Sequence, residues 1–310
     1  MSLESTVIAT SLAKPKRLPN LLNGVRRLAS RPSSLIGLVV VAVFYAWSIL
    51  EGLLQFAASL LNVPGLGWAL LPYNPYVYST SNSLLAPSLI HIMGTDDLGR
   101  DIWSRVLYAA PTDGMIAILV VAGGIAIGGL IGYPAGYFGR GVDELNMRVT
   151  DLFLAFPALI LALTIEATLG RNVEYAIIAL VAVWWPSYAR LLRGETLKIK
   201  NMKFIDAAFL SGLSNLEIIS KHVFRSSLNT LISYATIDIG NTILVYSILS
   251  FLGLGAPLPA PEWGTMVSLG LNYFPEGWWY SILPGVVITI IVIGAALLGD
   301  GLRDMFAGEL

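Results

Sequence analysis

The chain has no cysteine and only two histidines, His91 and His222, among its 310 residues. Disulfides and thiolate metal sites are therefore excluded. Two imidazoles so far apart in sequence read as structural groups rather than as a metal pair. Charge is the next scarcity. Only 13% of the residues are Asp, Glu, Lys or Arg, against roughly 25% in a soluble domain. A surface this poor in charge cannot be covered by water alone. With 55% apolar residues and a mean hydropathy of +0.72, much of it must face hydrocarbon. Catalytic patterns are missing too. No glycine-rich loop ends in Lys-Ser or Lys-Thr, and no Ser/His/Asp set or paired-carboxylate pocket stands out. The chain reads as a non-enzyme with no cofactor or metal, and nothing in it points to nucleic acid.

What is present is long apolar runs. A bilayer-crossing helix needs ~20 mostly apolar residues. Six runs qualify: 35–60, 114–138, 149–169, 175–192, 228–254 and 279–298. The first begins near Ser34 and exceeds the ~7–15 residues of a signal sequence, so it is expected to stay as an anchor. The reading is an all-α polytopic membrane protein with six transmembrane helices. An even number of spans puts both termini on one side. Of the 19 Lys and Arg, only Arg100, Arg105 and Arg171 fall on the other side. The excess of positive charge marks the cytoplasmic face, so both termini are expected there. The expected organisation is a cytoplasmic tail over 1–33, a first transmembrane helix over 34–60 and an extracytoplasmic loop over 61–113. A five-helix core over 114–304 follows, with a cytoplasmic loop over 195–227, and then a tail over 305–310.

Smaller patterns refine this picture. Gly124, Gly128, Gly132 and Gly136 recur every four residues, which places a small-residue stripe on one helix face and invites close helix packing. Pro134, Pro157 and Pro186 are expected to bend their helices. The outer segments are rich in Pro, Gly and aromatics, including Trp68, Tyr73, Tyr76, Trp263 and Trp278. These residues suit either interfacial anchoring or a docking surface for an outer partner. Asp96, Asp97 and Asp101 lie beside Arg100 and Arg105 and read as a charge-paired turn. Glu166 reads as an interfacial carboxylate. Asp238 falls inside the fifth span, where a charge is costly and is usually functional or paired. It shares a helical face with Asn241 and Val245. That face is the candidate lining of a solute pathway; the alternative is an interhelical hydrogen bond that fixes packing.

The polar, basic stretch over 195–226, ETLKIKNMKFIDAAFLSGLSNLEIISKHVFRS, lies between two apolar segments. Good helix formers run from Lys203 to Leu210. Asp206 suits the first turn of that helix, Ala207 and Ala208 allow a surface to approach the backbone, and Gly212 can end the helix in a left-handed conformation. A second, partly amphipathic helix is expected from about Asn215 to Phe224. The pair fits either a docking element or an amphipathic hairpin lying on the membrane.

Several strings, in order, carry a resemblance: HIMGTDDLGRDIWSR over 91–105, RVTDLFLAFP over 148–157, YARLLRGE over 188–195, SFLGLG over 250–255, PEWGTM over 261–266 and LGDGLRD over 298–304. Together they resemble the C-type subunit of the dipeptide/oligopeptide/nickel branch of ABC importer permeases. Asp206-Ala207-Ala208, with Gly212 four residues on, resembles the family's EAA loop. The resemblance implies a type I ABC importer permease fold in the cell membrane of a prokaryote. It also implies a second homologous permease, two ATPase subunits and an extracytoplasmic solute-binding protein as partners. Asp206, Ala207, Ala208 and Gly212 would then couple to the ATPase. The chain departs from the pattern at Asp206, where Glu is usual, and at Arg225, where Pro is usual; its C-terminus also lacks an Asp-Pro ending. Peptides are the default solute, with oligosaccharides or nickel as alternatives within the class. A secondary transporter or channel subunit, and a membrane scaffold, are the alternatives outside it.

Overall fold

The computed structural model describes residue 24 and residues 27–308. Lys14, Lys16, Arg17 and Arg26 of the basic tail lie outside the described residues, as do Glu309 and Leu310. Among the described residues, ten α-helices run from Pro32 to Ala307: α1 (Pro32–Leu61), α2 (Ile102–Phe138), α3 (Arg140–Leu154), α4 (Ala158–Leu169), α5 (Val173–Lys200), α6 (Lys203–Leu210), α7 (Asn215–Glu217), α8 (Phe224–Phe251), α9 (Trp263–Leu271) and α10 (Phe274–Ala307). A π-helical stretch, Ile218–Val223, joins α7 to α8. The described residues contain no strand beyond one isolated bridge between Thr95 and Asp101.

Among the described residues, five helices are long and apolar enough to cross a membrane, and the bent pair α3–α4 makes six if counted as one span. In that pair the run over 149–169 is divided at Pro157, where a bend is expected, into two separate helices. The chain breaks after Leu154 and turns by 81° before Ala158. Pro157 supplies the reason: it lacks an N–H, and it disfavours helical backbone at the preceding residue. The other spans run longer than their apolar cores. α2 starts at Ile102 rather than 114 because Asp101 caps it, accepting from Ser104 N at 2.8 Å. At 37 residues it is about 55 Å long, against ~30 Å of hydrocarbon, so part of it stands outside the bilayer. α5 continues to Lys200 and α10 to Ala307, so helix also carries into segments that the apolar pattern alone leaves out.

The glycine stripe packs α2 against α5 as expected. A Cβ on Gly128 would sit 2.5 Å from Tyr188 Cβ, and one on Gly136 2.6 Å from Thr196 Cβ. The two backbones touch where side chains would hold them apart. α10 packs on both α8 and α1; a Cβ on Gly37 would lie 2.5 Å from Leu298 N. Arg31 and Asp304 pair at 2.5 Å and join the start of α1 to the end of α10.

The segment between α1 and α2 is held by buried polar bonds. Arg100 Nε donates to Asp96 Oδ2 at 2.6 Å, and Arg105 Nη1 to Pro75 O at 2.8 Å. The expected charge-paired turn is therefore present at Asp96 and Arg100. His91 Nδ1 lies 2.9 Å from Asp101 Oδ1, so this imidazole braces the α2 cap.

Candidate functional site

The loop between α5 and α8 folds as a helical hairpin. α6 ends at Leu210, and Gly212 takes φ +85°, where a side chain would be strained. Its N–H bonds Phe209 O at 3.0 Å, and Leu213 N bonds Ala208 O at 3.3 Å. The chain re-enters helix through a capping box. Ser214 N donates to Glu217 Oε2 at 3.1 Å, and Glu217 N donates back to Ser214 Oγ at 3.4 Å. Lys221 adds an ion pair to Glu217 at 2.9 Å. The Lys221 bond, followed by those of Ser214, holds the Glu217 carboxyl down to about 2.

The hairpin has two unlike faces. Ile205, Ala208, Ile218 and Val223 are buried against Leu192, Ile199 and Leu231. This seats the hairpin on the C-terminal end of α5 and the N-terminal end of α8. The opposite face exposes Phe204, Asp206, Ala207 and Phe209, and leaves Leu210 85% and Leu216 75% exposed. The four expected coupling residues therefore divide. Asp206, Ala207 and Gly212 lie on the open side, while Ala208 is turned into the fold at 7% exposure. The expectation that both alanines admit a partner surface is corrected at Ala208. The sequence groups Leu216 with Ile218, Ile219 and Val223 as one amphipathic set and does not single out Phe209, because only the folded hairpin separates its inner apolar residues from its outer ones.

α3 lies beside this unit, clamped to α5. Arg193 Nε and Nη2 donate to Asp143 Oδ1 and Oδ2 at 2.5 and 2.6 Å, and Arg190 Nη2 to Asp151 Oδ1 at 2.7 Å. The Arg193 hydrogen bond holds the Asp143 carboxyl below its ordinary value, against a smaller opposing effect of burial.

Within the bundle, Asp238 is buried and accepts from Trp184 Nε1 at 2.6 Å. This bond joins α5 to α8, as the packing alternative requires. Asn241, one turn on, is exposed, and Val245 is half-buried. The shared face thus begins inside the chain and opens at its surface. Glu166 departs from the interfacial reading. It is buried, and its Oε1 accepts from Gly255 N at 2.6 Å. The carboxylate ties α4 to the loop after α8, and no sequence pattern announces a partner 89 residues away.

These features can be set beside known proteins. Residues 124–309 match the family described as binding-protein-dependent transport system inner membrane component. The chain is 39% identical over 236 residues to the probable D,D-dipeptide transport system permease protein of Escherichia coli K12, covering 76% of this chain and 79% of that one. It is 36% identical over 279 residues to the dipeptide transport system permease protein of Alkalihalophilus pseudofirmus, covering 90% and 86%. It is also 36% identical over 270 residues to a glutathione transport system permease protein of Escherichia coli, covering 86% and 81%. A solved inward-facing MetNI methionine ABC transporter overlaps with a TM-score of 0.48 at 20% identity, covering 64% of this chain and 95% of that one. On its family match and these relatives, the chain belongs to the inner membrane permease components of binding-protein-dependent transport systems, the ABC importers.

Proposed function

We propose that this chain forms half of the solute pathway of an ATP-driven peptide importer and couples to its ATPase through α6 and the turn at Gly212. One observation carries the coupling: a cytoplasmic-side hairpin that buries Ile205 and Ala208 yet leaves Phe209, Leu210 and Leu216 exposed around Asp206. Apolar side chains of this size, clustered on an aqueous segment, mark an interaction surface. Asp206 adds a carboxylate at the start of α6, and Ala207 leaves room for close approach. ATP hydrolysis belongs to separate subunits in this reading, two of them, and the chain itself is not an enzyme.

The pathway forms between this chain and a second, homologous permease in the cell membrane of a prokaryote. The residues 1–33 and 305–310 and the hairpin face the cytoplasm, and a solute-binding protein docks on the outer side. The exposed Asn241 and half-buried Val245 face the pathway, while Asp238 braces that face through Trp184. Relatives named for dipeptide, D,D-dipeptide and glutathione transport support a short peptide as solute over an oligosaccharide or nickel.

Reconstitution tests this reading. The chain is placed in proteoliposomes with its co-encoded permease, ATPases and binding protein, and uptake of a radiolabelled dipeptide is measured. Uptake is expected to require ATP and binding protein, and to be competed by peptides but not by maltose or nickel. Uptake driven by an ion gradient without ATPase would identify a secondary transporter instead.

A further inference from the structure

α3 carries an apolar surface that the function just described does not use. Val142, Leu145, Val149 and Leu152 are all exposed, and Phe156 follows at the same three-four spacing just past the helix end. At about 100° per residue, the four helical positions share a stripe about 80° wide. Leu145, Leu152 and Phe156 are 68, 66 and 60% exposed. Arg148 borders the stripe on one side. On the other, Phe153 turns onto the Trp185 ring at 5.0 Å, and Asn146 follows it around the helix. Asp143 and Asp151 are tied to Arg193 and Arg190 of α5, and Thr150 is the one buried residue of α3. The clamp fixes which way the helix is turned, and it turns the apolar stripe away from α5.

Width and charge decide what covers this stripe. A helix that lies in a lipid surface presents a broad apolar face and a polar face rich in Lys and Arg. α3 has instead a narrow seam, spaced like the a and d positions of a coiled coil. Its carboxylates, Asp143, Glu144 and Asp151, outnumber its cations, Arg140 and Arg148. An anionic membrane surface attracts basic segments and gains nothing from that balance. A narrow seam fits a single helix. The stripe also lies within residues 124–309, the part of the chain that matches the family, so a homologous permease carries the corresponding helix. Two such chains arranged about a two-fold axis meet through the same patch on each, and an all-apolar stripe is complementary to its like. We propose that Val142, Leu145, Val149, Leu152 and Phe156 pack against the corresponding helix of the second permease, an inference that rests on the paired-permease reading above.

The test uses the assembled transporter in proteoliposomes, with the co-encoded permease, ATPases and binding protein. This chain has no cysteine, and the second permease is stripped of its own. Leu145→Cys, Leu152→Cys and, off the stripe, Glu144→Cys are each combined with a single cysteine at the position aligned with Leu152 in the second permease. All three sites are exposed, so the substitutions leave this chain's own core intact. Disulfide formation is followed with and without ATP, and uptake of a radiolabelled dipeptide is measured on the same preparations. A strong cross-link to the second permease is expected from Leu145→Cys and Leu152→Cys in at least one nucleotide state, and little or none from Glu144→Cys. A fluorophore on Leu145→Cys should escape quenching by spin-labelled lipid in the assembled transporter. Three results would overturn the proposal: no cross-link from the stripe in transporters that still take up dipeptide with ATP, equal cross-linking on and off the stripe, or quenching by lipid. The first of these leaves the importer reading standing. Uptake that needs no ATPase would instead remove that reading and this inference with it.

Discussion

Arg193 of α5 holds both carboxylate oxygens of Asp143 on α3, at 2.5 and 2.6 Å. The pair fixes an amphipathic helix, buried only at Thr150, that leads into the 81° break. A planar guanidinium matched to both oxygens gives orientation as well as energy. Because the pair is partly exposed, at 32% and 20% for the two side chains, solvent screening keeps its contribution modest, about 1 kcal/mol.

A double-mutant cycle with Arg193→Ala and Asp143→Ala should return a coupling of that size in the thermal or denaturant stability of the nanodisc-held chain. The pH dependence has a definite sign. The Asp143 carboxyl is held below its ordinary value, so the stability it contributes is fully present above about pH 4 and is lost as pH falls further. Asp143→Asn should flatten the stability curve in that acid range. An unchanged acid limb would refute the clamp.

The α2–α5 contact predicts a graded series. Gly128→Ala forces a Cβ to within 2.5 Å of Tyr188 Cβ, whereas at Gly124 the nearest atom is the Tyr188 ring at 3.0 Å. Gly128→Ala should cost about 1–3 kcal/mol of stability, and Gly124→Ala less, because a ring edge yields more readily than a packed Cβ. Thermal melts of the two variants side by side check the order. Equal losses would mean that the two helices are not in backbone contact.

Trp184 and Asp238 predict a separation between stability and transport. Trp184→Phe keeps an aromatic ring but strips one of the donors that reach the buried Asp238 carboxylate, which should cost about 1–3 kcal/mol. Asn241→Leu removes a polar group from the exposed part of the same face. It should lower peptide uptake by a larger factor than Trp184→Phe while lowering the melting point less, because the Trp184 donor to Asp238 remains. If Asn241→Leu transports normally, the pathway does not run along this face.

Much of this molecule is legible in its sequence because hydrocarbon imposes simple rules. Length and apolarity mark the spans, and a four-residue glycine period marks the face of α2 that meets α5. Pro157 stands where the third span breaks, yet a single proline does not reveal an 81° turn, since the angle depends on what α3 and α4 each pack against. The inward turn of Ala208 and the outward turn of Leu216 follow from how the two arms fold back at Gly212 and pack against α5 and α8, which the sequence of either arm alone does not fix. Glu166 lay furthest from reach. It is a lone carboxylate in an apolar run, and its partner comes from a distant loop.

The exposed face of the hairpin leads to the most direct test. The chain has no cysteine, so one placed at Ala207, on the open side, is unique. A second is placed in the docking cleft of the co-encoded ATPase, and disulfide formation is followed in native membranes with and without ATP. The coupling account predicts an efficient cross-link from Ala207→Cys, a poor one from the buried Ala208→Cys, and none from Ser83→Cys in the segment between α1 and α2. A fully assembled complex that gives no cross-link at Ala207 would contradict the account and remove α6 as the element that meets the ATPase.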